Sequence, residues 1–223
     1  MADTDHEPSK RIDTHVVLNK HRLLRVAYRN TVSYFLRVPD GNIKGEGFAD
    51  TGFQSLKRLH DGKIRSMTAV DGTTVYHGWD DVVRTVRAIV ETERGRAPLV
   101  QINVAETDPA INPDDHADHL AVARAALDAV ADMPCVRRVS YIDYASAKLP
   151  ENLNAQQRDM ESSVFAVTLA GVQAFDHGTS WRHYDGAYVG RNYFRVQEPA
   201  GACGLPPVKV AAAHRTDDTP PGP

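Results

Sequence analysis

The stretch PLVQINVAETDPAINPDDHADHLAVARAALDAVADMPCVRRVSYIDYAS, from Pro98 to Ser146, decides the fold. An apolar run from Leu99 to Val104 leads into an acidic turn, then an amphipathic segment, then a second apolar run from Val136 to Ile142. Two apolar runs of strand length around a segment of helical period predict a β-α-β unit. Strands joined in this way lie parallel, so their carboxyl ends share one edge with the helix N-terminus. Ligands of such sheets bind at that edge.

Polar residues gather there. Glu106, Thr107 and Asp108 follow the first run, and Asp143, Tyr144 and Ser146 follow the second. Between them, Asn112-Pro113 predicts the helix start, because proline suits the first helical position and asparagine caps it. Asp114, Asp115, His116 and His119 then occupy the first turns. The stripe His116, Leu120, Ala123, Leu127 and Val130 predicts that His116 faces the sheet, while Asp114, Asp118, Asp128 and Asp132 face water. His116 and His119, three residues apart, can share one ligand. A helix N-terminus also disfavours the imidazolium, which keeps both rings fit for metal binding or proton abstraction. The candidates are therefore His116, Asp108 and Asp143 for acid/base work, with Glu106, His116 and His119 as ligands of a divalent metal. The same residues also suit helix capping and loop solvation.

Working outward, Ile64 to Val70 and Thr73 to His77 flank Asp71-Gly72 and predict a hairpin. Gly78-Trp79-Asp80 opens a helix with Val82, Val83, Val86, Ile89 and Val90 at helical spacing, closed by Gly95. Residues 19 to 38 carry both periods, and the reading adopted is a short helix giving way to a strand near Thr31, ended by Pro39-Asp40-Gly41. Beyond the central unit, 150 to 161 reads as a helix or lid. Val164 to Val172 reads as a strand, and Tyr188 to Val196 as another after the Asp185-Gly186 turn. Trp181, Tyr184, Tyr188, Tyr193 and Phe194 alternate with Arg182, His183, Arg191 and Arg195, a mixture that suits strand packing or the stacking of an aromatic ligand. Residues 1 to 12 and 214 to 223 read as disordered ends around one α/β domain, 13 to 213.

The balance of 42% hydrophobic and 25% charged residues is that of a globular protein, and no apolar run approaches a membrane span. A formal charge of -3 over 223 residues leaves no general footprint for nucleic acid or an anionic membrane. Residues 1 to 11 lack the basic flank and apolar centre of a signal peptide, so the expected location is cytoplasmic. Of the two cysteines, Cys135 reads as a small buried residue and Cys203, in Gly201-Ala202-Cys203-Gly204, as an exposed loop thiol.

Stretches of the chain resemble four known families. Asp114-Asp115-His116-Ala117-Asp118-His119 resembles the HxHxDH signature of metallo-β-lactamase-type hydrolases with its first histidine replaced by aspartate, and Ala49-Asp50-Thr51-Gly52 resembles the Asp-Thr-Gly turn upstream in that family. The Asp-Thr-Gly triplet is also similar to that of aspartic proteases. Residues 99 to 148 resemble the middle of an epimerase-type short-chain dehydrogenase, with Tyr144 and Lys148 matching its YxxxK pair but without its glycine-rich dinucleotide turn. Pro39-Asp40 with Asp61-Gly62-Lys63 resembles the PD-(D/E)xK nuclease pair, which implies a divalent metal and a lysine that orients water.

The expectation is an α/β protein with a mixed sheet, an N-terminal antiparallel hairpin part and a C-terminal parallel β-α-β unit. Its carboxyl edge is expected to bind a small polar molecule or a divalent metal for hydrolytic or acid/base chemistry. A PD-(D/E)xK nuclease and a non-catalytic ligand-binding or interaction subunit stand as alternatives.

Overall fold

The computed structural model describes residues 10–175, 178, 181–199, 201 and 203. They divide into two compact units, one formed by residues up to Arg96 together with Ala125–Ala131, the other by Ala97–Arg124 and the residues from Asp132 onward. The α/β class and the order of an antiparallel part before a parallel unit hold, with the antiparallel strands forming sheets of their own.

The first unit opens with a meander, β1 (Ile12–Leu18), β2 (His21–Tyr28) and β3 (Thr31–Phe35), paired antiparallel in that order. This corrects the helix expected after Asn19, and Ile12 lies in β1 instead of ending a disordered lead. Leu18 pairs with His21, so the turn is the two residues Asn19 and Lys20, both with positive φ (46° and 69°). Such turns match strand twist but normally announce themselves with glycine, and its absence here hid the hairpin. After the loop come α1 (Leu56–His60), capped by Ser55, and the small hairpin of β4 (Met67–Thr68) and β5 (Val75–Tyr76) around Asp71-Gly72. Helix α2 (Trp79–Arg94) ends at Gly95 as its sequence predicts. Asp81 fastens its start, accepting from His77 N at 2.8 Å and lying 3.1 Å from the buried His21 ring. Leu23, Leu56, Leu59, Met67, Tyr76 and Val82 are buried in this unit.

In the second unit β6 (Val100–Ala105) pairs parallel with β7 (Val136–Tyr141), Val100 opposite Val136, and α3 (Ala117–Ala129) makes the connection. The helix starts later than Asn112-Pro113 implies. Asp114 sits at φ +59°, a left-handed conformation that α-helix does not continue through, so Asn112 to His116 form a turn ahead of it. Of the expected stripe Ala123 and Val130 are buried while His116, Leu120 and Leu127 are half-buried, and the other buried positions of the helix are Ala117, Ala121, Ala125 and Ala129.

Two further corrections follow along the chain. The expected strand Val164 to Val172 lies inside α4 (Ala155–Gln173), whose Asn154 and Gln157 form a capping box. That Asn-x-x-Gln signal was legible in the sequence and outweighs the β-branched residues downstream. Asp185-Gly186, expected as a turn, lies within α5 (Trp181–Tyr188), and only β8 (Phe194–Gln197) of the last expected strand forms, antiparallel to β7. Cys135 and Cys203 are joined in a disulfide with Cα atoms 5.5 Å apart, so neither is the free thiol expected. No helix among the described residues is long and apolar enough to cross a membrane. The expected tail, 214 to 223, lies outside the described residues, as do His177 and the side chains of Trp181, Arg182 and His183.

Candidate functional site

The carboxyl edge of β6 and β7 brings together three groups from two distant segments. Asp115 precedes α3, His119 lies in its first turn, and Asp143 follows β7. One ligand atom from each lies within 4.8 Å of the others. His119 Nδ1 is 2.9 Å from Asp115 Oδ1 and 3.7 Å from Asp143 Oδ2.

Asp115 is the fixed member. Its carboxylate is wholly enclosed; Oδ1 also accepts from His116 N at 2.7 Å, and Oδ2 accepts from Asn112 Nδ2 at 2.8 Å. Asn112 is itself buried and gives its second amide hydrogen to the Glu106 carbonyl at 3.0 Å, tying the turn to the end of β6. His119 and Asp143 are the accessible members, each a little over a third exposed. Asp143 has its carboxyl pushed above the usual aspartate value, first by burial, then by the charge of Asp115 and by a hydrogen bond shared with it. Two carboxylates at this range retain a proton or accept a cation.

The other predicted residues take different places. His116 stands immediately ahead of α3, half-buried, with Nδ1 accepting from Asp118 N at 3.2 Å; it acts as a cap, and its ring lies 5.4 Å from that of His119. Glu106 is 2% exposed, accepts from Asp108 N, and has Oε2 2.7 Å from Arg195 Nη2 in a charge contact without hydrogen-bond alignment. Asp108 caps the turn through Ala110 N. Asp118 is half-buried, not solvated as its spacing suggested. Asp115, read from sequence as a cap, is thus the residue the spacing undervalued. The signal was present as Asp115 and His119, four apart and therefore on one face.

Beside the cluster lies a cavity of about 380 Å³. His119, Asp143, Tyr141, Tyr144 and Ser146 border it from the strand edge and the turn after β7, Glu161 and Phe165 from α4, and Tyr184, Tyr188, Arg191, Asn192 and Tyr193 from α5 and the segment that follows. The Tyr144 and Tyr188 hydroxyls are both pushed above the usual phenol range, chiefly by burial. At neutral pH they are hydrogen-bond donors.

The motifs outside this edge are held locally. Asp40 accepts from Asn42 N in an Asx turn; Asp61 caps the C-terminus of α1 and meets Lys57 at 2.6 Å and Lys63 at 3.8 Å. Asp50 and Thr51 lie in a 3-10 turn ending at Gly52, and Tyr144 and Lys148 share another directly after β7. No family model, curated protein or solved structure matches this chain.

Proposed function

We propose that the protein binds a divalent cation through Asp115, His119 and Asp143 and uses it on a small polar molecule held in the adjoining cavity. One observation carries the reading: a buried carboxylate, a half-buried carboxyl and an imidazole nitrogen converge within 4.8 Å. Donor atoms about 2.1 Å from one ion lie about 3.0 to 3.4 Å from each other, and the separations of 2.9 and 3.7 Å bracket that range. A mixed carboxylate and imidazole set suits zinc, manganese or iron better than calcium. A cation there would lower the pKa of a bound water and polarise an ester or phosphoryl oxygen, which is hydrolytic chemistry.

A metal-free reading rests on the hydrogen bond itself. With Asp115 accepting from Nδ1, the His119 Nε2 is left as a base whose tautomer the buried carboxylate fixes, as in hydrolase dyads. Calorimetry with Mn²⁺ and Zn²⁺ tests the first reading. Binding that Asp143→Asn weakens at least about tenfold supports it, and no binding at millimolar cation, or equal binding by the variant, overturns it. A low-field Nδ1–H resonance of His119 separates the two, since a cation at Nδ1 removes that proton and the dyad keeps it. The cytoplasmic location expected from the sequence is weakened by the Cys135–Cys203 disulfide, which favours an oxidising compartment.

A further inference from the structure

Five of the chain's eight tyrosines border the cavity of about 380 Å³ beside Asp143. Their rings run as a tilted series: Phe165 to Tyr184 at 6.3 Å, Tyr184 to Tyr188 at 5.4 Å, Tyr188 to Tyr144 at 6.1 Å and Tyr144 to His119 at 5.2 Å. The angles between successive planes are 85°, 35°, 48° and 44°, so these rings do not stack on one another. A wall of this kind suits a planar guest, which gains offset or edge contacts with several rings at once.

The charged groups at the cavity are unequally served. Glu161 accepts from Gly190 N at 2.6 Å, and Asp143 belongs to the cluster with Asp115 and His119. Among the described residues the Arg191 side chain makes one hydrogen bond, from Nε to the Leu149 carbonyl at 2.8 Å. Its Nη1 is shielded from water without an acceptor, and no carboxylate among the described residues pairs with its guanidinium. A guanidinium in that state forms charge-assisted, two-pronged bonds to an oxyacid.

We infer that the cavity takes an aromatic molecule carrying one carboxylate or phosphate group, its ring against Tyr144, Tyr184 and Tyr188 and its anionic group on Arg191. The inference rests on reading the cavity as the substrate chamber of the cation site, and it names the class of substrate. Both proposed positive centres, the cation and Arg191, then meet the oxygens of one ligand while the ring supplies apolar burial. The two acids lining the cavity do not reverse this, because each already has a partner.

Calorimetry with phenyl phosphate, benzoate, inorganic phosphate, acetate, phenol and phenyltrimethylammonium, each in EDTA and again with Mn²⁺, tests it. Phenyl phosphate or benzoate is expected to bind at least about tenfold more tightly than phenol and than the matching inorganic phosphate or acetate. Which of the two leads identifies the oxyacid. Arg191→Gln is expected to weaken the anionic aromatic probes about 10- to 100-fold and leave phenol unchanged. Because Arg191 also holds the Leu149 carbonyl, circular dichroism checks the variant's fold, and if it is lost the wild-type probe panel alone decides. Preference for phenyltrimethylammonium, or anionic probes no better than phenol, overturns the inference. Aromatic anions that bind in EDTA without any Mn²⁺ binding overturn the cation reading and leave this one standing; Mn²⁺ binding without aromatic-anion binding does the reverse.

Discussion

Replacing Asp143 by asparagine is expected to stabilise the metal-free protein at neutral pH. The carboxyl oxygens of Asp115 and Asp143 lie within 4.8 Å. Two full charges at that separation repel by about 3.5 kcal/mol at an effective dielectric of 20. Asp143 is 38% exposed, so solvent screening reduces this. Retention of a proton reduces it again, leaving about 1 kcal/mol at pH 7. The sign follows from the raised carboxyl of Asp143: the folded state holds this proton more tightly than the unfolded chain, so stability falls as pH rises from the ordinary aspartate value of 3.8 through the higher folded value. Asparagine mimics the protonated form, keeps a donor toward Asp115 and cannot lose it. Thermal or urea unfolding of both proteins in EDTA at pH 3.5 and pH 7 measures the effect. The variant should match wild type at the lower pH and gain about 1 kcal/mol, or roughly 2 to 4 °C, at the higher. A variant equally destabilised at both values would refute the idea that the two carboxyls repel.

Asn112→Leu removes the donor to Asp115 Oδ2 and the tie to the Glu106 carbonyl, leaving two buried acceptors without it; a loss of about 2 to 3 kcal/mol is expected in urea unfolding, and a loss under about 0.5 would contradict the positioning role. Arg195→Ala strands the enclosed Glu106 carboxylate and should cost about 2 to 3 kcal/mol in urea unfolding at pH 7, whereas a loss under about 0.5 would contradict the pairing. Thiol titration of the denatured, unreduced protein should find none of the two cysteines free, and reduction should lower stability by about 3 to 4 kcal/mol for a 68-residue separation; two titratable thiols without reductant would refute the bridge.

Where period and punctuation agree, the sequence was readable. Gly78 and Gly95 bracket α2, Asp71-Gly72 turns the small hairpin, and two apolar runs around a helical segment became β6, α3 and β7 in parallel register. It misled where the turn residues carried no glycine, at Asn19-Lys20. It misled again where β-branched residues filled a helix, from Val164 to Val172. In the first place a two-residue turn without glycine joined adjacent strands, and in the second the capping box of Asn154 and Gln157 outweighed the β-branched residues.

At the candidate site, the sequence by itself determined the edge, because strand direction follows from the β-α-β pattern and places Glu106, His119 and Asp143 near the same strand ends. Only the tertiary structure decided which of them meet. A left-handed residue at Asp114 delays α3, so Asp115 is enclosed ahead of the helix and His116 becomes a cap, while Arg195 from β8 occupies Glu106. Periodicity carries direction along a helix. The phase of that helix, and the partner a buried charge finds, depend on chain segments that no local pattern relates.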